Sequence, residues 1–255
     1  MRILPNLAKL VFAGFAVSLL AGLTAGFGTR FGLWNFQFGL LTLFPWCLYI
    51  GLAALALGAI WGGAALVTGN SASARWGVIG LAGAAMVLAL PLYDIYVAKT
   101  SPPIHDITTD ISNPPQFKAV LPLRKDALNS PDYYGATKIK WNGETLSVAQ
   151  AQRKAYPDIF TVRLLMPPAK LFDRALKAAT AMGWHIVAAV PAEGRIEATS
   201  TSFFFGFTDD IAIRVAQSGQ GAKLDIRSES RVGISDVGKN AARIRAYMKE
   251  LAKTG

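Results

Sequence analysis

The chain of 255 residues is 52% hydrophobic and only 16% charged, with 26 basic against 16 acidic residues and a formal net charge of +10. Five of the basic residues and one acid fall before residue 104, so an apolar head precedes a mildly basic part long enough to bury its own core. No basic run is interleaved with aromatics as a nucleic-acid platform needs, and the lone Cys47 excludes an intramolecular disulfide, a cysteine metal cluster and a CxxC redox pair.

In chain order the head comes first. Residues 10–29 carry no charge, the length needed to cross a bilayer as a helix, with Arg2 and Lys9 before them. A secretory signal peptide would share the charged start and apolar core. The stretch lacks a small-x-small cleavage site followed by a polar mature start, so an uncleaved helix is the reading taken. Three helices are predicted, at about 8–29, 38–67 and 76–98, forming a transmembrane head over residues 1–100. Phe31, Trp34, Phe36 and Trp46 suit an interfacial aromatic belt, as does Asp94 between Tyr93 and Tyr96. Gly22 with Gly26, and Gly58 with Gly62, offer small faces for close helix packing. An internal N-terminus places Arg2, Lys9 and Arg75 on the cytoplasmic side against Arg30 and Lys99 outside. The positive-inside rule then favours export of the C-terminal domain.

Residues 104–255 read as a separate α+β domain. A Pro-containing linker leads to an extended segment at 104–117, and 118–146 reads as an irregular surface wrap. A short helix is predicted over 147–156, ended by Pro157, then a strand over 160–166. Pro167 and Pro168 open a helix whose apolar face is Leu171, Phe172, Ala175, Leu176, Ala179 and Met182, stopped by Gly183. A strand at 184–190 follows. Three extended runs then fill 195–236. Ile196, Ala198 and Ser200, then Ile211, Ile213 and Val215, then Leu224, Ile226 and Ser228 each alternate with polar or small residues. This predicts an antiparallel meander with one wet face, its hairpins at GFTDD and QSGQGA. Ser235 or Asp236 caps a last helix with Val237, Ala241, Ile244, Met248 and Leu251 on one face. The predicted fold is an antiparallel sheet with helices on one face, either curved about the last helix as a helix-grip or flat as a two-layer sandwich.

The blocks IHDITTDISNPPQF (104–117), AYPDI (155–159), GFTDDIAIRV (206–215) and DIRSESRVGISDVGKNAARIRAY (225–247) occur in this order. On them the chain resembles the family called domain of unknown function 1499, over about residues 104–253, in its membrane-anchored bacterial form. The resemblance implies an α+β domain and a cell-envelope address. It implies no activity and transfers no catalytic residue.

Candidate chemistry is sparse. His105, Asp106 and Asp110 lie close in sequence, but an extended segment points neighbours apart, so hydrogen bonding to the sheet is read in place of a metal site. His185 reads as structural. Asp209 and Asp210 face opposite ways in a strand and suit a strand start. No GxSxG elbow, Walker loop or dinucleotide fingerprint occurs, and no cofactor is expected. The strongest polar constellation is Glu197, Arg214, Asp225, Arg227, Glu229 and Arg231, read either as a charge-laced solvated face or as an Arg-bearing floor for an anionic head group. The run Phe203–Phe207 reads as a hairpin tip that either meets lipid or is covered by a helix and the 118–146 wrap. The candidate ligand-binding set is therefore Glu197, Arg214, Arg227, Arg231, Phe204 and Phe207. Two functions stand open: a non-enzymatic envelope module binding a lipid, amphiphile or membrane partner beside its bilayer, or a hydrolase using the acids of 105–110 or 209–210. Oligomeric state is not legible.

Overall fold

The computed structural model describes residues 4–67, 69 and 71–254. Its two compact units are residues 1–96 with 203–206, and residues 97–202 with 207–255.

The first unit holds the apolar helices α1 (Leu4–Arg30), α2 (Phe44–Val67) and most of α3 (Ser71–Thr100), with a π-helical turn at Phe38–Leu43 leading into α2. Within them Leu10–Arg30, Phe38–Ala64 and Val78–Thr100 are long and apolar enough to cross a membrane. Of the small residues read from the sequence, Gly22 and Gly58 lie where helices meet, Gly22 against Cys47 and Gly58 against Val11 and Leu81, whereas Gly26 faces the Phe204 ring. Ser18 Oγ donates to Cys47 O at 2.7 Å, satisfying a hydroxyl buried among apolar helices. The Phe run is the expected strand-to-strand turn, with Gly206 at φ 72°. Its covering differs from either expectation: Phe203 and Phe204 pack edge-on to Phe27, and Phe205 to Phe44.

In the second unit the sheet runs β1 (Asp106–Thr108), β8 (Gly221–Ser230), β7 (Thr208–Ser218), β6 (Arg195–Thr201), β5 (His185–Val190), all antiparallel. A further strand, β4 (Val162–Leu164), also pairs with β8. β1 and β4 therefore share the outer edge of β8, β1 opposite 227–229 and β4 opposite 222–224. Between them the edge is closed by a threonine: Thr109 N donates to Ile226 O, and Ile226 N to Thr109 Oγ1, both at 2.9 Å.

Helices α5 (Pro168–Ala181) and α6 (Lys239–Lys253) cover one face, as the apolar periodicities predict. Leu171, Phe172 and Ala175 meet Ile244, Tyr247 and Leu251 over Ile196, Ile211, Ile213, Leu224 and Ile226. Trp184 stacks on Tyr247 at 5.3 Å, so Trp184 is the buried residue and His185 is exposed at the sheet edge, not structural as expected. Val237 lies before α6 with φ 53°, in a left-handed turn with Gly238. It cannot serve the helical face the sequence suggested. The N-cap position is Gly238, not Ser235 or Asp236 as expected, but the Asp236 carboxylate reaches forward and accepts from the N–H groups of Gly238 and Asn240 at 2.9 and 2.7 Å.

Two further corrections bear on the site. Residues 138–147 are not irregular: β2 (Lys138–Trp141) and β3 (Glu144–Ser147) form a hairpin on Asn142–Gly143, both at positive φ. It feeds α4 (Val148–Ala155) through a capping box between Ser147 and Gln150. The second face of the sheet is not wet. Residues 113–133 cross it as a strap, with Phe117 and Val120 buried against Ala212.

Candidate functional site

Strand alternation sends Glu197, Asp210, Arg214, Asp225, Arg227, Glu229 and Arg231 to the strap-covered face. Glu197, Asp210, Asp225, Arg227 and Glu229 are fully buried there, which overturns a solvated face. Arg214 and Asp225 pair across β7 and β8 at 2.8 Å, and Arg231, just past the end of β8, reaches Asp210 of β7. The other partners come from elsewhere. Arg227 grips Asp106 of β1 through Nε and Nη2 at 2.9 and 2.8 Å, donates to Pro131 O, and lies 4.6 Å from the Phe117 ring. Glu197 accepts three strap amides, those of Lys118, Ala119 and Val120, at 2.9, 2.9 and 3.0 Å, and also bonds Arg195. Arg124 of the strap reaches Asp210 and Glu229, while Arg231 chelates Asp210 and donates to Leu123 O. Each arginine is thus met by a carboxylate. The network fastens the strap, since ions taken out of water need partners to stay charged.

Burial and the neighbouring Asp106 push the Glu229 carboxyl up to about 8, against the pull of Arg124. Glu229 Oε2 lies 3.0 Å from Arg124 Nη1 but without hydrogen-bond alignment. Burial also raises Asp236 to about 6, although two backbone amides favour its charge. Both carboxyls hold their protons to higher pH when folded than unfolded, so folding takes up protons between the ordinary carboxylate range and about pH 8. Stability from these groups is full at the low end of that window and falls as pH rises through it. The urea midpoint is expected to be higher near about pH 5.5 than near about pH 8.5, and Glu229→Gln should flatten the upper part of that slope.

The catalytic candidates do not converge. Asp209 bonds Arg243 on the helix face and Asp210 bonds Arg231 on the other. Asp106 is held by Arg227, and Asp110 accepts the amides of Ser112 and Asn113 and meets Arg214 at 3.2 Å. His105 Nδ1 lies 3.3 Å from Ile234 O. Among the described residues no three His, Cys, Asp or Glu side chains group as a metal site.

Two adjoining cavities, of about 490 and 350 Å³, lie where β1 and β4 part along β8, and share Thr109, Ile159 and Phe160 as walls. The first is polar and carries Arg153 from α4, Arg163 from β4 and Lys223 from β8. Among the described residues neither Arg153 nor Arg163 has an ion-pair partner, and Lys223 Nζ stands 3.8 Å from Asp225. The second is lined by Ile159, Phe160, Val162, Ile244 and Met248, with the Arg245–Asp158 pair and Lys249 at its mouth. Phe160, at the shared wall, is 64% exposed. Chemically this is a cationic cup beside an apolar slot. Of the ligand-binding residues expected from sequence, only Arg214 reaches it, through Asp110 on its wall. Glu197, Arg227 and Arg231 are engaged beneath the strap, Phe204 belongs to the helical unit, and Phe207 closes its turn by donating its N–H to Ser202 Oγ. Sequence reasoning missed Arg153, Phe160, Arg163 and Lys223. They come from separate elements, and although the blocks at 104–117, 155–159 and 225–247 border them, no spacing along the chain joins them.

No curated protein matches the sequence. Among solved structures, the protein CV1439 from Chromobacterium violaceum is similar at 18% identity, covering 36% of this chain and 95% of its own, with a TM-score of 0.26. TTHA0849 from Thermus thermophilus is similar at 10% identity, covering 37% and 92%, with a TM-score of 0.24. The model of one family, described as "Protein of unknown function (DUF1499)", matches residues 106–251, from the β1 aspartate that holds Arg227 to the end of the α6 core face, and this chain belongs to that family.

Proposed function

We propose that this protein is anchored in a bacterial inner membrane by its three helices and carries its α+β domain into the periplasm, where the domain binds an anionic amphiphile without catalysis. The observation that carries this reading is the pair of adjoining cavities. Arg153 and Arg163, without ion-pair partners among the described residues, supply with Lys223 charge-assisted donors for an acidic head group, and the slot beside them offers apolar walls for a tail. The volumes fall in the range of small-molecule sites, roughly 300–1,000 Å³. The length and apolarity of the helices support the anchor, and the Lys/Arg distribution supports the orientation.

The test is native mass spectrometry of the full chain released from detergent, wild type against Arg163→Glu with Lys223→Glu. Wild type should carry an acidic lipid-sized adduct, and the variant should lose about tenfold or more in occupancy, since each charge-assisted bond contributes roughly 1.5–3 kcal/mol. Equal occupancy, or no adduct on either, would refute the site. Orientation is checked separately. A reporter active only in the cytoplasm, fused after Gly255, should stay silent, and strong activity would reverse the assignment.

A further inference from the structure

The last turn of α3, Val97–Thr100, belongs to the same compact unit as the α+β domain. From it a chain of bonds leads to one end of the sheet. Ser235 Oγ donates to Pro102 O at 3.5 Å, Asp236 N to Ile104 O at 3.1 Å, and His105 Nδ1 lies 3.3 Å from Ile234 O. The same 231–236 segment holds the strap: Leu128 N donates to Arg231 O, Arg231 Nη1 to Leu123 O, and Asn129 Nδ2 to Gly233 O. Around this end stand four aliphatic side chains turned to solvent, Leu121 (43% exposed), Leu123 (50%), Leu128 (67%) and Ile234 (80%). None is needed by the core, and all four sit on loops that the fold ties to the exit from α3. Exposed Lys125 lies between Leu123 and Leu128 in the chain, and exposed Lys99 stands in the last turn of α3.

We infer that this rim is a bilayer-contacting surface: Leu121, Leu123, Leu128 and Ile234 enter the interfacial layer of the membrane that α3 leaves, so the domain is held down by its own loops as well as by its tether. The inference rests on the membrane anchor proposed above. A solvent-exposed aliphatic cluster is unfavourable in water and favourable at the acyl boundary, and lysines beside it reach the head groups. Continuity with the helix exit selects lipid as the occupant, because a tether of a few residues keeps this end within reach of the bilayer. The buried charge network gives the rim its rigidity. Leu123 and Leu128 bracket Arg124, whose guanidinium is bound to Asp210 and Glu229, so the strap presents its leucines from a fixed base.

The test uses the full chain in nanodiscs on a Cys47→Ala background. A fluorophore is placed singly by Leu128→Cys, Ile234→Cys, Leu165→Cys or Leu52→Cys, and quenched by lipids spin-labelled at the head group or along the chain. Leu165 is 91% exposed beside the β4–β8 pairing, at the other end of a strand about 30 Å long, and Leu52 is an exposed position of α2. Head-group lipids should quench the 128 and 234 labels severalfold more than the 165 label, and chain-labelled lipids should quench the 52 label. Quenching at 128 and 234 no greater than at 165, with 52 still quenched, overturns the rim and leaves the anchor intact. Absence of quenching at all four, 52 included, overturns the anchor and the rim with it.

Discussion

Arg227→Ala is expected to lower the opening free energy of the β7–β8 ladder by about 3–5 kcal/mol, the usual cost of leaving one half of a buried ion pair alone. The guanidinium is fully buried and makes three bonds to Asp106, one each to the Pro115 and Pro131 carbonyls and a close approach to the Phe117 ring. Its removal strands Asp106 at 6% exposure, next to Glu229 across the β1–β8 pairing. It also frees the end of the strap that Pro131 marks. Hydrogen exchange of the β8 amides in the full chain measures the effect, and the amides of Lys118, Ala119 and Val120, which bond Glu197, should lose protection with them. A loss confined to less than about 1 kcal/mol would show that the pair is not a fastening. The double variant Arg227→Met with Asp106→Leu should recover most of the loss, because two apolar groups leave no orphaned charge.

The second large effect concerns the opposite face. Ile244→Ala is expected to cost about 2–5 kcal/mol, since a branched side chain at 1% exposure between α5, α6 and the sheet leaves a void that its neighbours fill only in part. Ile244 also walls the apolar slot, so the variant should enlarge that cavity without touching its cationic half. Exchange across α6, compared with the exposed-face variant Lys253→Ala, separates the two contributions. Stability unchanged to within about 0.5 kcal/mol would mean that the helix does not bury this face.

Much of the architecture was determined by the sequence alone, because its signals are local. Period-two alternation placed Ile211, Ile213 and Val215 on one face of β7, and the repeat of Leu171, Phe172, Ala175 and Ala179 placed α5 on the sheet. Charge-free runs located the three long apolar helices for the same reason. The Asn142–Gly143 turn was equally local, yet the expectation of an irregular wrap over 118–146 passed over it, because two four-residue strands amid Pro, Asp and Gly give only a short alternation. The start of α6 was not legible, since Val237 satisfies the helical spacing yet sits at a positive φ that a periodicity cannot register.

The tertiary structure alone decided what the polar face became. Alternation states that Glu197, Arg227 and Glu229 share a side, but not whether that side meets water. Their partners lie far off in the chain, Asp106 at 121 residues from Arg227 and Lys118 at 79 from Glu197. No local pattern couples such distant positions. The strap that buries them is an irregular segment with no period to read. The groove arose the same way: β1 and β4 are three-residue strands too short to announce their pairing, and only their shared claim on the edge of β8 opens the gap that brings Arg153, Arg163 and Lys223 together. Periodicity is a property of neighbours in sequence, whereas a site is built by neighbours in space.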